Sequence, residues 1–473
     1  MSSKNRFYVD IMAMHNEVTG SCILNVVKLP DGTTKKFVVD CGLFQEAQYS
    51  DLNKSLPFKV ENIDYVFLTH VHVDHCGRLP LLVNQRYSEK IYMSNDSVCL
   101  LKPALSDSFK ILNRRAKVLN EQPLFSESDV EETLSRTVPI NFEETIKLDD
   151  NIKVTFFKNG HLQGAATILV QISYHNHIEH FENINLLYTG DYNNKNMFFN
   201  VPEIPKWVRQ LPLTIIQEST YGYMKSSEIV SVFQDNVLDA LSKGKEVLIP
   251  VFSLGRSQEV MFTLKKWQDS GLLDRNIPIY YDGKLCRKYT DMYPKLSIKN
   301  EAKDFKPANF YYVDGSEMRG ALLANNNCKI ILTTSGMGSY GPAQTYLPVY
   351  LSKKNALIHF TGYLAEGTLG RHLMDCANDN YIEVSGLQIK KQADVKTTAE
   401  FSAHAKQDEL LDFLKKFDNL KLVLINHGSK ESKVIYSTLV ADEVSCKAVG
   451  LLGRDYFFRI DGYGLVKSWS TKF

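Results

Sequence analysis

The stretch LTHVHVDHCG, residues 68–77, places His70, His72, Asp74 and His75 within six residues. Neutral imidazoles and carboxylates are the donor set of zinc, with manganese as the alternative metal. One short loop carrying four such groups can serve two cations about 3.5 to 4 Å apart, the spacing of a two-metal hydrolytic site. The apolar run before it, YVFL, reads as a buried strand. Alternation along the extended part sets His70 and His72 on one side, and the turn into a following helix carries Asp74 and His75 to the other.

Such a loop must be held by a scaffold, and the rest of the chain supplies one. Short β-branched or apolar runs recur as KFVVDCG, DYVFLTH, KVTFFKNGH, ATILVQIS, NLLYTGD and LTIIQEST. Each reads as a core strand that ends in polar residues, several of them His, Asp or Glu. From about residue 226 the pattern changes to amphipathic helices alternating with apolar strands (EVLIPVF, IPIYYDG, CKIILTTSG, NALIHFTGY), which predicts a parallel sheet flanked by helices. Near the C-terminus KQDELLDFLKKF reads as an amphipathic helix and LKLVLINHG as a strand ending in histidine, in the manner of the first part. The expected organisation is therefore a first domain over 1–220, an insertion over 221–392, and a return to the first domain over 393–473.

At 473 residues the chain has room for more than one core. A net charge of +1 leaves nucleic-acid binding to local patches and bound cations. No leader-like segment or membrane-length apolar stretch is read from the sequence, and the eight cysteines are scattered without a C-x-x-C pair. This usage suits a reducing compartment, so a cytoplasmic protein with no membrane association is expected.

The signature THVHVDH resembles the metal loop of the metallo-β-lactamase superfamily, and further elements of that pattern follow in order: Asp40 in VVDCG, His161 in NGHLQGAA and Asp191 in YTGDY. QESTYG with Glu218, FSAHA with His404 and INHG with His427 narrow the resemblance to the β-CASP nucleases, which include the RNase J type enzymes and the cleavage and polyadenylation endonuclease. The resemblance implies an α/β fold, the αββα metallo-β-lactamase sandwich with an inserted β-CASP domain. It also implies two zinc ions per chain: His70, His72 and His161 holding one, Asp74, His75 and His427 the other, with Asp191 bridging and Asp40 orienting a ligand imidazole from beneath. The implied catalytic residues are Asp74, His404 as proton donor, and Glu218 holding its ring. The implied reaction is hydrolysis of single-stranded RNA by a hydroxide activated between the metals, endonucleolytic, 5′-exonucleolytic or both, with a homodimer the family-like assembly.

Phosphate contacts are expected in the glycine-rich and strand-to-helix turns of the insertion: Ser253 and Arg256 in PVFSLGRSQE, Ser335 and Gly336 in TTSGM, and Gly367, Thr368 and Arg371 in GYLAEGTLGR. Arg371 is equally readable as a surface salt-bridge partner. The second histidine cluster, His175, His177 and His180 in YHNHIEH, reads as a solvated hairpin tip, His359 as a core-strand residue, and His15 as near enough to the site to touch substrate. Lys110, Arg114, Arg115 and Lys117 lie on a helix whose charged face could follow a nucleic acid. Two positions depart from the family pattern, Lys406 after SAHA and Ser429 after HG, where an acidic residue is common. The chain also stops soon after the last motif, which suggests the minimal two-domain form. The alternative functions are a DNA nuclease of the same branch, a metallo-hydrolase of small esters, thioesters or lactams, and a non-catalytic RNA-binding scaffold.

Overall fold

The computed structural model describes residues 7–175, 183–362, 364, 367–384 and 386–470. The chain divides into two compact units. Met1–Asn196, Asn200–Ser226 and His404–Phe473 form the first; Met197–Phe199 and Ser227–Ala403 form the second.

Two sheets make the first unit. The larger has eight strands in the spatial order Gly464–Ser470, Tyr456–Asp461, Tyr8–Ala13, Ile23–Lys28, Thr34–Val39, Tyr65–Phe67, Ile91–Ser94 and Thr137–Ile140. The smaller has seven, ordered Val449–Leu451, Leu420–Asn426, Leu213–Glu218, Ile184–Tyr188, Ala166–Ile172, Ile152–Lys158 and Thr145–Lys147. Alternate residues of the two face each other in one core: Val9, Ile11, Phe37, Val39 and Phe67 from one sheet, Val154, Phe156, Ile168, Val170 and Leu186 from the other. Each such side chain removed from water contributes roughly 1.5–3 kcal/mol before chain entropy is counted. The outer face of the smaller sheet is also apolar. Leu187, Ile215, Val423 and Ile425 meet Leu410 and Leu414 of helix Gln407–Leu414 and Tyr436 and Val440 of helix Lys430–Glu443. On the other side, helix Asn95–Leu119, capped by Ser94 and stopped by Asn120 in the left-handed region, packs on strands Ile91–Ser94 and Thr137–Ile140. The layers are helix, sheet, sheet, helix.

Strand direction explains where the polar ends go. Thr34–Val39, Tyr65–Phe67 and Ile91–Ser94 are mutually parallel, as are Ile184–Tyr188, Leu213–Glu218 and Leu420–Asn426. Ile152–Lys158 runs the same way as these last, because Ala166–Ile172 is antiparallel to both it and Ile184–Tyr188. Within each sheet, the strands preceding the predicted site residues therefore finish at one edge.

The second unit carries a six-stranded, wholly parallel sheet ordered Phe310–Tyr312, Ile279–Asp282, Ile330–Thr333, Glu246–Pro250, Ala356–Phe360 and Asp394–Thr397. Its near-continuous apolar strands are the mark of a sheet covered on both faces. The expected boundaries at 220 and 392 shift here to 226 and 403. Asp394–Thr397, expected in the first domain, pairs with Ala356–Phe360 as an edge strand of this sheet. Phe198 also belongs to this unit, packed against Phe262, Tyr293 and Phe305. Among the described residues no helix is long and apolar enough to cross a membrane.

His359 is a core residue of this sheet, 0% exposed. Its Nδ1–H donates to Phe360 O (3.0 Å) and its Nε2 accepts from the Asn236 amide (3.2 Å), whose oxygen accepts from Lys396 Nζ. Burial holds its pKa down to about 4 against the ordinary 6.5, opposed by the Phe360 carbonyl and Glu400. The unfolded chain thus takes up a proton that the folded one refuses. The contribution is intact above pH 6.5 and is lost as pH falls towards 4, by up to about 3 kcal/mol. Denaturant unfolding of the second unit at pH 7 and pH 4.5 should show His359→Gln removing most of that loss; identical losses in variant and wild type would contradict the assignment.

Candidate metal centre

The loop after strand Tyr65–Phe67 turns into the short helix Val73–Cys76. It presses so closely on the segment after Val39 that a Cβ on Gly42 would lie 1.5 Å from Asp74 O, so only glycine fits there. Arg78, 1% exposed, ties the neighbouring loops, donating to Gly42 O and to Leu52 O (2.9 Å) with its guanidinium over the Phe44 ring.

Two groups of donors form at the strand ends. His70, His72, His161 and Asp191 make one, and Asp74, His75 and His427 the other; within each, the ligating atoms lie within 4.8 Å of one another and could hold a metal ion. Asp191 faces both groups. Its Oδ2 is 3.6 Å from His70 Nε2 and 3.5 Å from His161 Nε2, and its Oδ1 is 3.2 Å from His75 Nε2 and 3.3 Å from His427 Nδ1. Despite these distances, Oδ1 makes no aligned hydrogen bond among the described residues. Imidazole nitrogens also face one another, His70 Nε2 to His72 Nδ1 at 3.2 Å, His161 Nε2 to His72 Nδ1 at 3.0 Å and His75 Nε2 to His427 Nε2 at 3.2 Å. Lone pairs that converge in a largely buried site suit divalent cations.

Supporting hydrogen bonds set the ring orientations. Asp40, at φ 61°, accepts from Thr69 N (2.8 Å) and Thr69 Oγ1 and faces His75 Nδ1 at 2.7 Å. That contact places the His75 proton on Nδ1 and turns Nε2 to the centre. Asn159 joins two ligand loops: its amide donates to Thr189 O and Asp191 O, both at 3.0 Å, while its oxygen accepts from His161 N. Thr220 Oγ1 lies 3.1 Å from His427 Nδ1. Asn159, Thr69 and Thr220 were not picked out in the sequence; for Asn159 the signal was its place in KNGH, two residues before a ligand.

Electrostatics follow burial and charge. Burial pushes His70 well below its usual value and lowers His427, leaving both neutral and able to coordinate. Burial acts the same way on His75, but Asp191 and Asp40 override it and raise that imidazole. Asp191 would be raised by burial, yet His427, His75 and His70 hold it well down. Asp74 is raised by burial, with Asp191 adding to the effect.

Beside the donors stands a carboxylate–imidazole pair. His404 Nδ1 lies 2.9 and 3.0 Å from the Glu218 oxygens, which also accept from Tyr192 N (2.7 Å) and Thr220 N (3.1 Å). His404 Nε2 is 3.9 Å from Asp191 Oδ2, and its ring sits 4.7 Å from that of His161. Burial depresses His404, but Glu218 by charge and hydrogen bond, with Asp191, brings it above the usual value. Of the two departures, Ser429 caps helix Lys430–Glu443, accepting from Ser432 N (3.1 Å), and the Lys406 ammonium sits 3.5 Å from the centroid of the Tyr221 ring.

The structure thus gathers Asp40, His70, His72, Asp74, His75, His161, Asp191, Glu218, His404 and His427 in the first unit. His15 is 1% exposed and accepts from Cys22 N, so it is a packed residue rather than a surface one. The expected phosphate contacts all lie in the second unit. There the 334–342 loop touches both the Phe252 turn and the 367–371 turn: Gly336 lies against Phe252, and Gly370 N donates to Met337 O (2.9 Å). Thr368 caps its own helix, and Arg371 pairs with Asp375 at 2.9 Å, the salt-bridge reading. Lys110, Arg114, Arg115 and Lys117 are exposed on helix Asn95–Leu119. His177 and His180 lie outside the described residues.

Comparison with known proteins agrees with this geometry. Residues 20–149 match the metallo-beta-lactamase superfamily, 257–373 the Beta-Casp domain, and 388–445 a Zn-dependent metallo-hydrolase RNA specificity domain. A ribonuclease of Thermus thermophilus is 31% identical over 452 residues, covering 92% of this chain and 96% of that one. The chain belongs to the metallo-β-lactamase/β-CASP family of metal-dependent hydrolases. A probable RNase of Methanocaldococcus jannaschii is 31% identical over 412 residues, covering 85% of this chain and 89% of its own length. A transcription termination factor of Methanosarcina mazei is 27% identical over 442 residues, covering 88% of this β-CASP chain and 66% of the factor.

Asp40→Asn should weaken metal binding about 10–100-fold at the group containing His75, leaving the His70–His72–His161 group bound. Chelator competition on purified protein reads this directly; equal affinities for the variant and the wild type would contradict the orienting role of Asp40.

Proposed function

We propose that the protein is a zinc-dependent ribonuclease that hydrolyses phosphodiester bonds of single-stranded RNA. The observation that carries this reading is the placement of Asp191 between two donor groups, with the Glu218–His404 pair within reach of the same carboxylate. The names of the Thermus and Methanocaldococcus relatives and the RNA specificity match over 388–445 support RNA as substrate.

His70, His72 and His161 would hold one zinc and Asp74, His75 and His427 the other, with Asp191 shared. When bound, the metals supply positive charge for the phosphate oxygens and lower the pKa of water to the range of a usable nucleophile. The protein's share is positioning. Asp40 keeps His75 in one tautomer, Asn159 fixes the Asp191 and His161 loops together, and Glu218, itself held by two backbone amides, aims His404 Nε2 at the centre. His404, its proton stabilised by Glu218, donates to the leaving oxygen as the phosphodiester breaks. A buried site strengthens each of these charges by excluding water. The eight cysteines, all free thiols, fit a reducing cytoplasm.

End-labelled single-stranded RNA and matched DNA, incubated with and without chelator, test the proposal. The expected result is RNA cleavage abolished by chelator, with His404→Ala reducing kcat by about 10²–10⁴ while metal content stays at the wild-type level. Product lengths separate endonucleolytic from 5′-exonucleolytic action. A metal-loaded wild type that cuts neither strand would contradict the ribonuclease reading, and preferential cleavage of DNA would change its substrate.

A further inference from the structure

In the second unit, strands Glu246–Pro250 and Ile330–Thr333 are parallel neighbours, with Val247 opposite Ile330 and Pro250 opposite Thr333. The chain leaving Glu246–Pro250 enters helix Arg256–Asp269 and returns as Ile279–Asp282, on the far side of Ile330–Thr333. The chain leaving Ile330–Thr333 enters helix Ala343–Leu351 and returns as Ala356–Phe360, on the far side of Glu246–Pro250. These crossovers run in opposite directions across the sheet. Right-handed connections then put their helices on opposite faces, and the crevice between the two exit turns is where open parallel sheets take ligands.

The residues at that crevice have a specific chemistry. Phe252 leaves the first strand 39% exposed, and Tyr340, on the second turn, is 71% exposed. The two turns touch: a Cβ on Gly336 would fall 2.7 Å from the Phe252 ring, so glycine lets that ring lie against the neighbouring turn. Tyr340 is fixed to the same turn by its backbone, with Ser335 N donating to Tyr340 O (3.2 Å) and Tyr340 N donating to Ser335 Oγ (3.3 Å). Two large rings left in water, each on a backbone held in place, are suited to stacking. Four residues after Phe252 begins the 14-residue helix Arg256–Asp269, whose N-terminus carries partial positive charge and whose Ser257 Oγ donates to Phe252 O. Arg256, its first residue, is 8% exposed; its Nη1 donates to Glu259, and its Nε makes no hydrogen bond among the described residues. Positive charge beside flat apolar rings is complementary to an anion that carries rings.

We propose that Phe252 and Tyr340 form a stacking platform for unpaired bases of a single-stranded nucleic acid, with the start of helix Arg256–Asp269 and Arg256 receiving the adjoining phosphate. The identity of the strand rests on the ribonuclease reading; the platform itself rests on the crevice and its rings. Stacking uses the π-face that every base has, so binding here is tolerant of sequence.

Equilibrium binding of labelled oligo(A) and oligo(U) RNA to the full-length Asp74→Asn protein tests the platform without turnover. Phe252→Ala and Tyr340→Ala, each added to that background, should each weaken binding by about 5- to 100-fold for both oligomers, with Tyr340→Phe restoring wild-type affinity and thermal midpoints unchanged. Affinities within twofold of the parent would overturn the platform, even with RNA cleavage by the wild type intact. A wild type that binds and cuts no RNA would overturn the ribonuclease reading instead. Conversion of a dimer to a monomer by Phe252→Ala, with RNA affinity unchanged, would assign the rings to a contact between copies and also overturn the proposal.

Discussion

One buried carboxylate, Asp191, faces His70 and His161 with one oxygen and His75 and His427 with the other. Five imidazoles and two carboxylates packed into a largely buried space would be a severe cost to any fold that gained nothing from it. The cost is offset only if cations neutralise the carboxylates and take up the converging lone pairs, so the local structure makes physical sense as a place for metal. The surrounding polar residues serve the same end. Asp40, Asn159, Thr69 and Thr220 each touch a ligand side chain or its backbone, and together they fix the ring and loop orientations that a cation requires.

The sandwich makes this concentration of polar groups tolerable by confining it to one edge. The central strands of the smaller sheet are apolar on both faces, packed on the opposite sheet and on helices, and the polar residues gather at the strand ends. His404 arrives from another direction, at the point where the chain re-enters the first unit, and Ala405 N donates to Tyr192 O (2.7 Å) directly after Asp191. That bond and the Tyr192 N contact to Glu218 tie the Glu218–His404 pair to the strand end that carries Asp191. The candidate metal donors and the Glu218–His404 pair are thereby parts of one hydrogen-bonded assembly.

Much of this was legible in the sequence because the chemistry is local. His70, His72, Asp74 and His75 are adjacent, and each of Asp40, His161, Asp191, Glu218 and His427 sits at or just beyond the end of an apolar run. What single-sequence reasoning lacks is a way to join residues 352 positions apart, such as His75 and His427; there the family pattern did the joining. Asn159 and Thr69 escaped notice because an amide or a hydroxyl near a turn has many ordinary uses. The compact units divide at 403 rather than at the expected 392 for a related reason. Asp394–Thr397 is a short edge strand with two exposed residues, and its polar composition carries no signal for the sheet that it completes. The two-turn crevice of the second unit was visible only in part, since glycines and an arginine mark a turn but strand order alone shows that neighbouring turns diverge.

The proposed hydrolytic centre requires both donor groups to act together. Its test is titration of metal-stripped protein with zinc while following single-turnover cleavage of a short single-stranded RNA. Cleavage should stay near background through the first equivalent and rise with the second. Full cleavage at one equivalent, or cleavage by the stripped protein, would contradict it.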